Sequence, residues 1–290
     1  MHSIVTPQGY LTSDVEVIST IQGVKSLADG IAVLNACQRN NLPLLYIDIE
    51  PRSLGANGEL NLLTILLCYG PQFRRRLYLV DINVLANQAF STRGYYGASL
   101  RSILDSPAYQ KVFFGVRHNS HILYDQYGVK LQRVHDLQLM ENAYRPYIHY
   151  RQYLERFEPL IQKLLVHGIS RRRWFVDKYN GEWKYRYGPG APHAVFQKRP
   201  VIAHTRLYCC RNVRFMPELY AKICRGTPQI IDMVAQESQN RVHESQKEGY
   251  DPFASEQLRN PWTAEQNEKL DSWAETNPDF DDLRLGNGIL

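Results

Sequence analysis

The stretch LLYIDIEP, Leu44 to Pro51, places Asp48 and Glu50 two residues apart in an otherwise apolar run. Side chains of a strand alternate between its faces, so these two carboxylates project from the same face. Neighbouring carboxylates raise each other's pKa unless a cation compensates them, and Mg²⁺ or Mn²⁺ prefers oxygen ligands of this kind. Two surface carboxylates on an edge strand would give the same pattern. Whether this pair forms a metal site therefore depends on the residues around it.

The first part of the chain is predicted to consist mainly of strands. An alternating pattern predicts a strand over Asp14 to Gln22, and helical spacing of apolar residues predicts a helix from Ser26 to Arg39. Three strand-like runs follow, separated by turn-rich stretches: Leu44 to Ile49, Leu60 to Tyr69 and Leu77 to Ile82. Short connections between consecutive strands favour an antiparallel meander.

Helices and strands then alternate. The predicted helices are Ala98 to Asp105, Ser120 to Tyr127, which ends at Gly128, and Asp136 to Tyr144; the predicted strands are Lys111 to Val116 and Val129 to Val134. A meander followed by such units predicts an α/β domain with a mixed central sheet flanked by helices. The order β-β-β-α-β-α-β-α is typical of the ribonuclease H-like fold.

The last third of the chain is predicted to be a helical extension with an acidic end. Residues 168–200 are rich in Gly, Pro and aromatic residues and predict a long loop. Helices are expected over Thr205 to Arg225 and Pro228 to Gln246, and Thr263 with Gln266 forms a capping box that starts a last helix. The predicted units are a domain over 1–226, a packed helix over 227–250 and an acidic tail over 251–290. The tail could fold back over the domain, but an unrelated tail is the favoured interpretation.

Charge is unevenly distributed along the chain. Residues 251–290 hold nine acids and three bases, a net −6, so the net +5 of the whole chain leaves +11 on the other 250 residues. A basic body predicts a polyanionic partner, most often nucleic acid, although solubility alone would also account for it. No run of 18 apolar residues or secretory signal is present. Five cysteines without paired spacing favour reduced thiols, as in the cytosol or nucleus.

Three ordered stretches resemble the motifs of the DEDD 3′–5′ exonucleases, in the branch with tyrosine in the third motif that includes RNase D and the Werner-type domains. LYIDIEP followed by GELNLLTILL resembles the first motif, a strand carrying Asp-x-Glu and then a second apolar strand. KVFFGVRHNSHILYDQYGVKLQRVHDLQLME resembles the second motif, and RPVIAHTRLYCCRNVRFMPELY resembles the third, in which a helix carries Tyr-x-x-x-Asp.

The resemblance implies a 3′–5′ exonuclease fold in which four carboxylates hold two metal ions. Asp48 and Glu50 match the first motif, and Tyr208 matches the tyrosine that orients the attacking water. Asn119 stands where the second-motif aspartate belongs, and Asn212 where the third-motif aspartate belongs. Two amides halve the negative charge available to two divalent ions. We therefore expect Mg²⁺ or Mn²⁺ at Asp48 and Glu50 to bind weakly or not at all.

Nearby side chains offer poor replacements for the missing acids. Asp125 and Glu218 each lie six residues beyond an asparagine, which places them on another helix face. His121 occupies a helix position where many relatives carry an acid, but an ordinary, partly exposed histidine is the favoured interpretation. We therefore predict a degenerate active site.

Basic residues are the candidates for contact with nucleic acid. The predicted set is Arg117, Arg171, Arg172 and Arg173, the last three beside the aromatic loop, although a solvated charge run would look the same. The stretch YRPYIHYRQYLERF, residues 144–157, interleaves aromatic rings with arginines and could stack on bases. A helix that buries these rings under its arginine stems is the favoured interpretation.

Three functions are consistent with the sequence. The favoured one is an inactive pseudo-exonuclease that binds single-stranded nucleic acid, with RNA preferred over DNA. The second is an active or weak exonuclease that tolerates the two asparagines. The third is a scaffold that binds protein partners and has lost both catalysis and nucleic-acid binding. The basic body separates the first from the third, because a pure scaffold needs no basic surface.

Overall fold

The computed structural model describes residues 15–38, 43–51, 59–164, 196–223, 228–252 and 254–276. These residues form one six-stranded sheet with the strand order β1-β4-β3-β2-β5-β6. The strands are β1 (Val15–Ile18), β2 (Leu45–Pro51), β3 (Leu60–Tyr69), β4 (Arg74–Asp81), β5 (Lys111–Phe113) and β6 (Val134–Asp136).

The central three strands form the predicted antiparallel meander. β2 pairs antiparallel with β3, and β3 with β4. Strand β1 adds parallel to β4, β5 adds parallel to β2, and β6 adds parallel to β5, so the sheet is mixed, as predicted. Nine of the ten residues of β3 are buried, which follows from its central place and its nearly continuous apolar run. Arg74 to Arg76 belong to β4, which therefore begins three residues before the predicted run from Leu77.

Helices cover both faces of this sheet. They are α1 (Ile21–Cys37), α2 (Ile82–Leu85), α3 (Gln88–Ser91), α4 (Leu100–Asp105), α5 (Val116–Tyr127), α6 (Leu137–Ala143), α7 (Phe157–Leu164), α8 (Ala203–Ile223), α9 (Pro228–Ser245) and α10 (Ala264–Thr276). Short 3₁₀ turns lie at Ile148–Tyr150 and Ser255–Leu258. Among the described helices, none is long and apolar enough to cross a membrane.

Helix α5 begins at Val116, four residues before the position predicted from the sequence. The carboxylate of Asp136 accepts hydrogen bonds from the backbone N–H groups of Gly115 at 2.8 Å and Val116 at 3.0 Å. These groups would otherwise be unpaired at the start of the helix. Gly115 has a φ of 70°, which glycine adopts without strain. The cap comes from a residue 20 positions away, so the local pattern could not reveal this start.

Strand β6 and helix α1 also differ from the predicted boundaries. Residues 129–133 precede the strand, and pairing with β5 begins at Val134, which lies opposite Lys111. Helix α1 begins at Ile21, where the side chain of Thr20 accepts a hydrogen bond from the N–H of Gly23 at 3.1 Å. Gly128 ends α5 in the left-handed conformation, as predicted.

The stretch from Tyr144 to Phe157 is not the predicted helix. It contains a 3₁₀ turn at Ile148–Tyr150 and then extended chain. Tyr144 is buried, whereas Tyr147, Tyr150 and Tyr153 are exposed. The prediction that these rings are buried under arginine stems was therefore wrong.

The described part of the acidic tail packs on the domain, contrary to the favoured interpretation. Trp262, Leu270 and Ala274 belong to the same buried cluster as the residues of α8. The indole N–H of Trp262 donates to Asn142 Oδ1 at 2.8 Å. The predicted capping box is confirmed, because Thr263 and Gln266 exchange hydrogen bonds between side chain and backbone at 2.9 and 3.2 Å. The unit boundaries at residues 226 and 250 stay predictions.

Arg151 fixes α10 to the domain from inside. Its side chain is fully buried and forms an ion pair with Asp271. It also donates to Asn267 Oδ1 at 3.0 Å and to the carbonyl of Asn267 at 3.1 Å. A buried guanidinium needs such partners because an unpaired buried charge is very costly. The sequence predicted arginine stems lying over buried rings here, so the burial of Arg151 itself was missed.

Arg151→Ala is expected to destabilise the protein by about 2–4 kcal/mol, because it leaves a cavity and removes the anchor of α10. The free energy of unfolding from urea titration measures this loss. Lys269→Ala is the matched control, since it removes an exposed ion pair of the same helix with Glu265 and should cost less than about 0.5 kcal/mol. Equal stabilities of the two variants would contradict the anchoring role.

Candidate functional site

Strand β2 places the two carboxylates on the face of the sheet covered by α8. Alternation puts Asp48 and Glu50 on the same side as Tyr46, whose ring meets that of Tyr220 in α8 edge-on at 6.2 Å. Ile47 and Ile49 point into the opposite core layer, which contains buried residues of α1, α4 and α5. Both carboxyl side chains are partly buried. The predicted strand and its same-face pair are confirmed.

Helix α8 supplies the opposite wall of the site. The hydroxyl of Thr64, which lies opposite Asp48 in the register of β3 with β2, donates to the carbonyl of Cys209 at 3.5 Å. This contact holds the middle of α8 against β3, next to the strand that carries the carboxylates. Tyr208 and Asn212 are one turn apart on that helix, so both reach the same region of the sheet.

Asn212 contacts Asp48 directly. Its side-chain N–H donates to Asp48 Oδ2 at 3.0 Å, and the backbone N–H of Ile49 donates to Asp48 Oδ1 at 3.0 Å. Burial raises the pKa of the Asp48 carboxyl, while these two hydrogen bonds and the charge of Arg211 oppose the rise. The structure therefore brings together two positions that the sequence placed in the same site.

Glu50 is the more strongly perturbed of the two carboxyls. Burial, and then repulsion by Asp48, raise its pKa from an ordinary 4.5 to about 8, against the opposing attraction of Arg211. Glu50 is therefore mostly protonated at neutral pH when no other cation is bound. The strand tolerates two adjacent acids because, at neutral pH, Glu50 largely keeps its proton.

Arg211 is a cation of the site that the sequence reasoning missed. Its guanidinium carbon lies 3.5 Å from the centre of the Tyr208 ring. Burial lowers the pKa of Arg211, but Tyr208, Glu50 and Asp48 outweigh that effect and raise it. Among the described residues, its Nε and Nη1 have no hydrogen-bond partner although both are buried. Arg211 therefore acts on the two carboxylates through its charge. The available signal was an arginine directly before the third-motif asparagine.

Tyr208 is almost completely buried between Arg211 and Phe196, whose ring centre lies 5.7 Å from its own. Burial, and then the charge of Glu50 once that group is ionised at higher pH, raise the pKa of Tyr208 to about 12, so the phenol stays protonated at neutral pH. A protonated hydroxyl can donate a hydrogen bond, as the predicted water-orienting role requires.

Asn119 lies on α5 and is buried. Its side-chain N–H donates to the carbonyl of Gly115 at 3.3 Å, one turn earlier in the same helix. The amide nitrogen of Asn119 is therefore paired within α5, whereas that of Asn212 reaches across to β2.

The nearby acids are engaged elsewhere or exposed. Glu218 pairs with Arg75 at 2.6 Å, Asp125 is exposed, and the buried carboxylate of Asp136 caps α5. His121 is partly exposed, as expected, and its Nδ1 lies 3.1 Å from the carbonyl of Ser245. None of these observations supplies a third carboxylate to Asp48 and Glu50.

The residues at the site do not fit a pair of divalent ions. Within the described ranges, no group of three or more His, Cys, Asp or Glu side chains could hold a metal ion. Asn212 presents an N–H, rather than an oxygen, to Asp48. A cation-binding carboxylate is thus occupied by a donor, and Arg211 adds a positive charge that repels a metal ion.

Of the predicted nucleic-acid contacts, Arg117 is half-buried and engaged within the protein, and the other three lie outside the described residues. Arg117 donates to the side chain and the backbone carbonyl of Gln257, so it ties α5 to the segment before α10. Arg171, Arg172 and Arg173 lie outside the described residues, as does most of the predicted 168–200 loop. Cys209 and Cys210 are buried in α8, in agreement with packing thiols.

The raised pKa of Glu50 predicts how stability depends on pH. Between about pH 4.5 and 8 the unfolded chain loses a proton that the folded chain keeps, so stability falls as pH rises through this window. In Glu50→Gln the free energy of unfolding should decrease by about 1–2 kcal/mol less across this window than in the wild type, allowing for solvent screening. Urea unfolding at several pH values in EDTA measures it. Glu244→Gln, at an exposed carboxylate, is the control, and parallel curves for wild type and Glu50→Gln would contradict the account.

No protein-family model matches the sequence, and no curated protein matches it significantly. Solved structures do match. Trypanosoma brucei RNase D in complex with GMP superposes with a TM-score of 0.66 at 17% identity, covering 90% of this chain and 72% of that one. The same enzyme in complex with RNA U12 gives 0.63 at 16% identity, covering 88% of this chain and 78% of that one.

The catalytic core of RRP6 from Trypanosoma brucei is also similar, with a TM-score of 0.51 at 15% identity, covering 83% of this chain and 53% of that one. At such identities the likeness is one of fold, and function requires evidence from the site itself. The predicted ribonuclease H-like architecture is confirmed: this chain has the fold of the RNase D and RRP6 3′–5′ exonucleases.

Proposed function

We propose that this protein is a pseudo-exonuclease that binds single-stranded nucleic acid, with RNA preferred, and cuts it inefficiently or not at all. The observation that carries the proposal is the hydrogen bond from the side-chain N–H of Asn212 to Asp48 at 3.0 Å. An aspartate at position 212 would offer an oxygen ligand there. The asparagine offers a donor and uses one of the remaining carboxylates as its acceptor.

Charge balance supports the loss of cleavage. Two-metal hydrolysis of a phosphodiester needs two divalent ions a few ångströms apart, which repel each other strongly unless several carboxylates surround them. Two carboxylates and two amides supply at most about −2. Arg211 and the hydrogen bond from Asn212 already offset part of this charge. Removing ligands that act as a unit lowers rates by several orders of magnitude.

Two observations support nucleic acid, and RNA in particular, as the partner. The 250 residues before the acidic end carry a net charge of +11, which attracts a polyanion. One structural neighbour, RNase D from Trypanosoma brucei, was solved with the RNA U12. The same positive charge argues against a pure protein scaffold, although a protein partner that binds alongside the nucleic acid is compatible with it.

A weak, metal-dependent 3′–5′ exonuclease is the second candidate. The retention of Asp48, Glu50 and Tyr208 in one site favours it, since a single Mg²⁺ or Mn²⁺ ion needs fewer ligands than a pair. The two candidates differ in one measurable respect, the shortening of a 3′ end.

The test incubates the purified full chain with Mn²⁺ or Mg²⁺ and 5′-labelled single-stranded RNA. The chain is expected to bind the RNA, and to shorten it no faster than the Asp48→Ala variant does. Binding should weaken steeply between 50 and 200 mM salt, because counterions are released from the phosphates. Shortening that disappears in Asp48→Ala would establish the second candidate instead. Absence of salt-sensitive binding to RNA or DNA would rule out the nucleic-acid proposal.

Restoring the ligands tests the structural cause. Asn119→Asp with Asn212→Asp should tighten Mn²⁺ binding by about 10–100-fold in calorimetry, a range typical of changes around a metal site. Adding Arg211→Gln should tighten it further, because the fixed charge is removed. Asn240→Asp, at an exposed asparagine of α9, is the control. Unchanged Mn²⁺ affinity in the double and triple variants would show that the asparagines are not the reason for weak metal binding.

A further inference from the structure

Three tyrosines stand out on the surface of the segment that follows α6. Tyr147, Tyr150 and Tyr153 are 44, 56 and 60% exposed. Leu258, from the 3₁₀ turn before α10, is 58% exposed. Single exposed apolar residues are ordinary on a protein surface, but a cluster of large ones marks a binding site. We call Tyr147, His149, Tyr150 and Tyr153 the tyrosine platform.

Three rings of the platform contact one another in series. Tyr147 and His149 lie nearly parallel, with ring centres 5.8 Å apart and planes 3° apart, and His149 meets Tyr150 at 4.0 Å. Tyr153 forms a β-bridge with Arg259, the residue after Leu258. The segment that carries the platform is thus paired with a second segment about 100 residues further along the chain.

Hydrogen bonds hold the backbone beneath these rings. Arg145 donates to the carbonyls of Tyr150 at 2.9 Å and Tyr153 at 2.8 Å, and Asn142 donates to the carbonyl of Tyr153 at 3.0 Å. Tyr147 adopts a φ of 58°, a conformation that costs a non-glycine residue energy and that its surroundings must maintain. A fixed backbone lowers the entropy lost when a ligand binds.

Exposed arginines lie beside the platform. Arg156 follows it in the chain, and Arg259 is the bridge partner of Tyr153. Aromatic faces with neighbouring arginines and a net charge of +11 on the body suit a ligand that has both flat apolar rings and negative charges. Single-stranded nucleic acid has this chemistry, because its bases stack on aromatic side chains and its phosphates pair with arginines.

We infer that the tyrosine platform is a contact for single-stranded RNA, in which successive bases stack on Tyr147, Tyr150 and Tyr153. The inference rests on the proposed function and adds a site to it. Retained binding at this platform would be independent of the metal ligands, so a chain with a degenerate active site would still hold RNA. The alternative occupant, a second copy of this chain, is an outcome of the test.

The test measures the affinity of the full chain for a 5′-fluorescein-labelled 12-nucleotide oligouridylate by fluorescence anisotropy. The triple variant Tyr147→Ala, Tyr150→Ala, Tyr153→Ala should bind about 100-fold more weakly or worse, since each stacked base contributes roughly 1–3 kcal/mol. The corresponding triple Phe variant should bind like the wild type, because stacking needs the ring and not the hydroxyl. Tyr95→Ala with Tyr96→Ala is the matched control, at an exposed tyrosine pair on another loop, and should change affinity less than twofold.

The salt dependence separates stacking from charge. The alanine triple variant should keep the slope of log affinity against log salt, whereas Arg156→Gln with Arg259→Gln should reduce it by about 1–2. If the alanine triple variant binds RNA as tightly as the wild type, the platform is not an RNA contact, and the proposed function still stands. Loss of self-association in ultracentrifugation, with RNA affinity unchanged, would assign the platform to a second copy. A wild type that binds no RNA would overturn both proposals.

Discussion

Two carboxylates on one face of a buried strand are the constraint around which this structure is arranged. Asp48 and Glu50 cannot both ionise next to each other in a partly buried site without a positive partner. The described site meets that need from within the chain, by a donor from Asn212 at 3.0 Å, the charge of Arg211, and a pKa of about 8 that keeps Glu50 mostly protonated at neutral pH. The two adjacent acids are thus accommodated by groups of the chain itself.

The rest of the fold holds these groups in place. Helix α8 is fixed against the meander by the contact of Thr64 with Cys209 and by the pairing of Arg75 in β4 with Glu218. On the other side, Asp136 sets the start of α5, the helix of Asn119, and it lies 3.7 Å from Arg241 of α9. Glu218 and Asp136 are engaged in these structural contacts, so neither supplies a further carboxylate to the site. The chain therefore has the fold of RNase D, and the charges at the centre of the site are balanced by its own residues.

The sequence was sufficient for the meander, for the mixed sheet and for the pairing of Asp48 with Glu50, because alternation along a strand determines which side chains share a face. It could not predict the start of α5, which depends on a partner 20 residues away, or the burial of Arg151, whose partner is 120 residues away. Arg211 was missed for a related reason: its importance lies in its position over Tyr208. The exposure of Tyr147, Tyr150 and Tyr153 likewise follows from the path of the chain, since their spacing alone fits a helix equally well.

We propose that Arg211 and Asn212 balance the carboxylates in place of metal. A crystal grown in millimolar Mn²⁺, with anomalous data collected at the manganese edge, tests it most directly. We expect the Arg211 guanidinium over the Tyr208 ring, the Asn212 amide on Asp48 and no anomalous peak between Asp48 and Glu50. A manganese ion bound to both carboxylates, with Arg211 displaced from Tyr208, would contradict it.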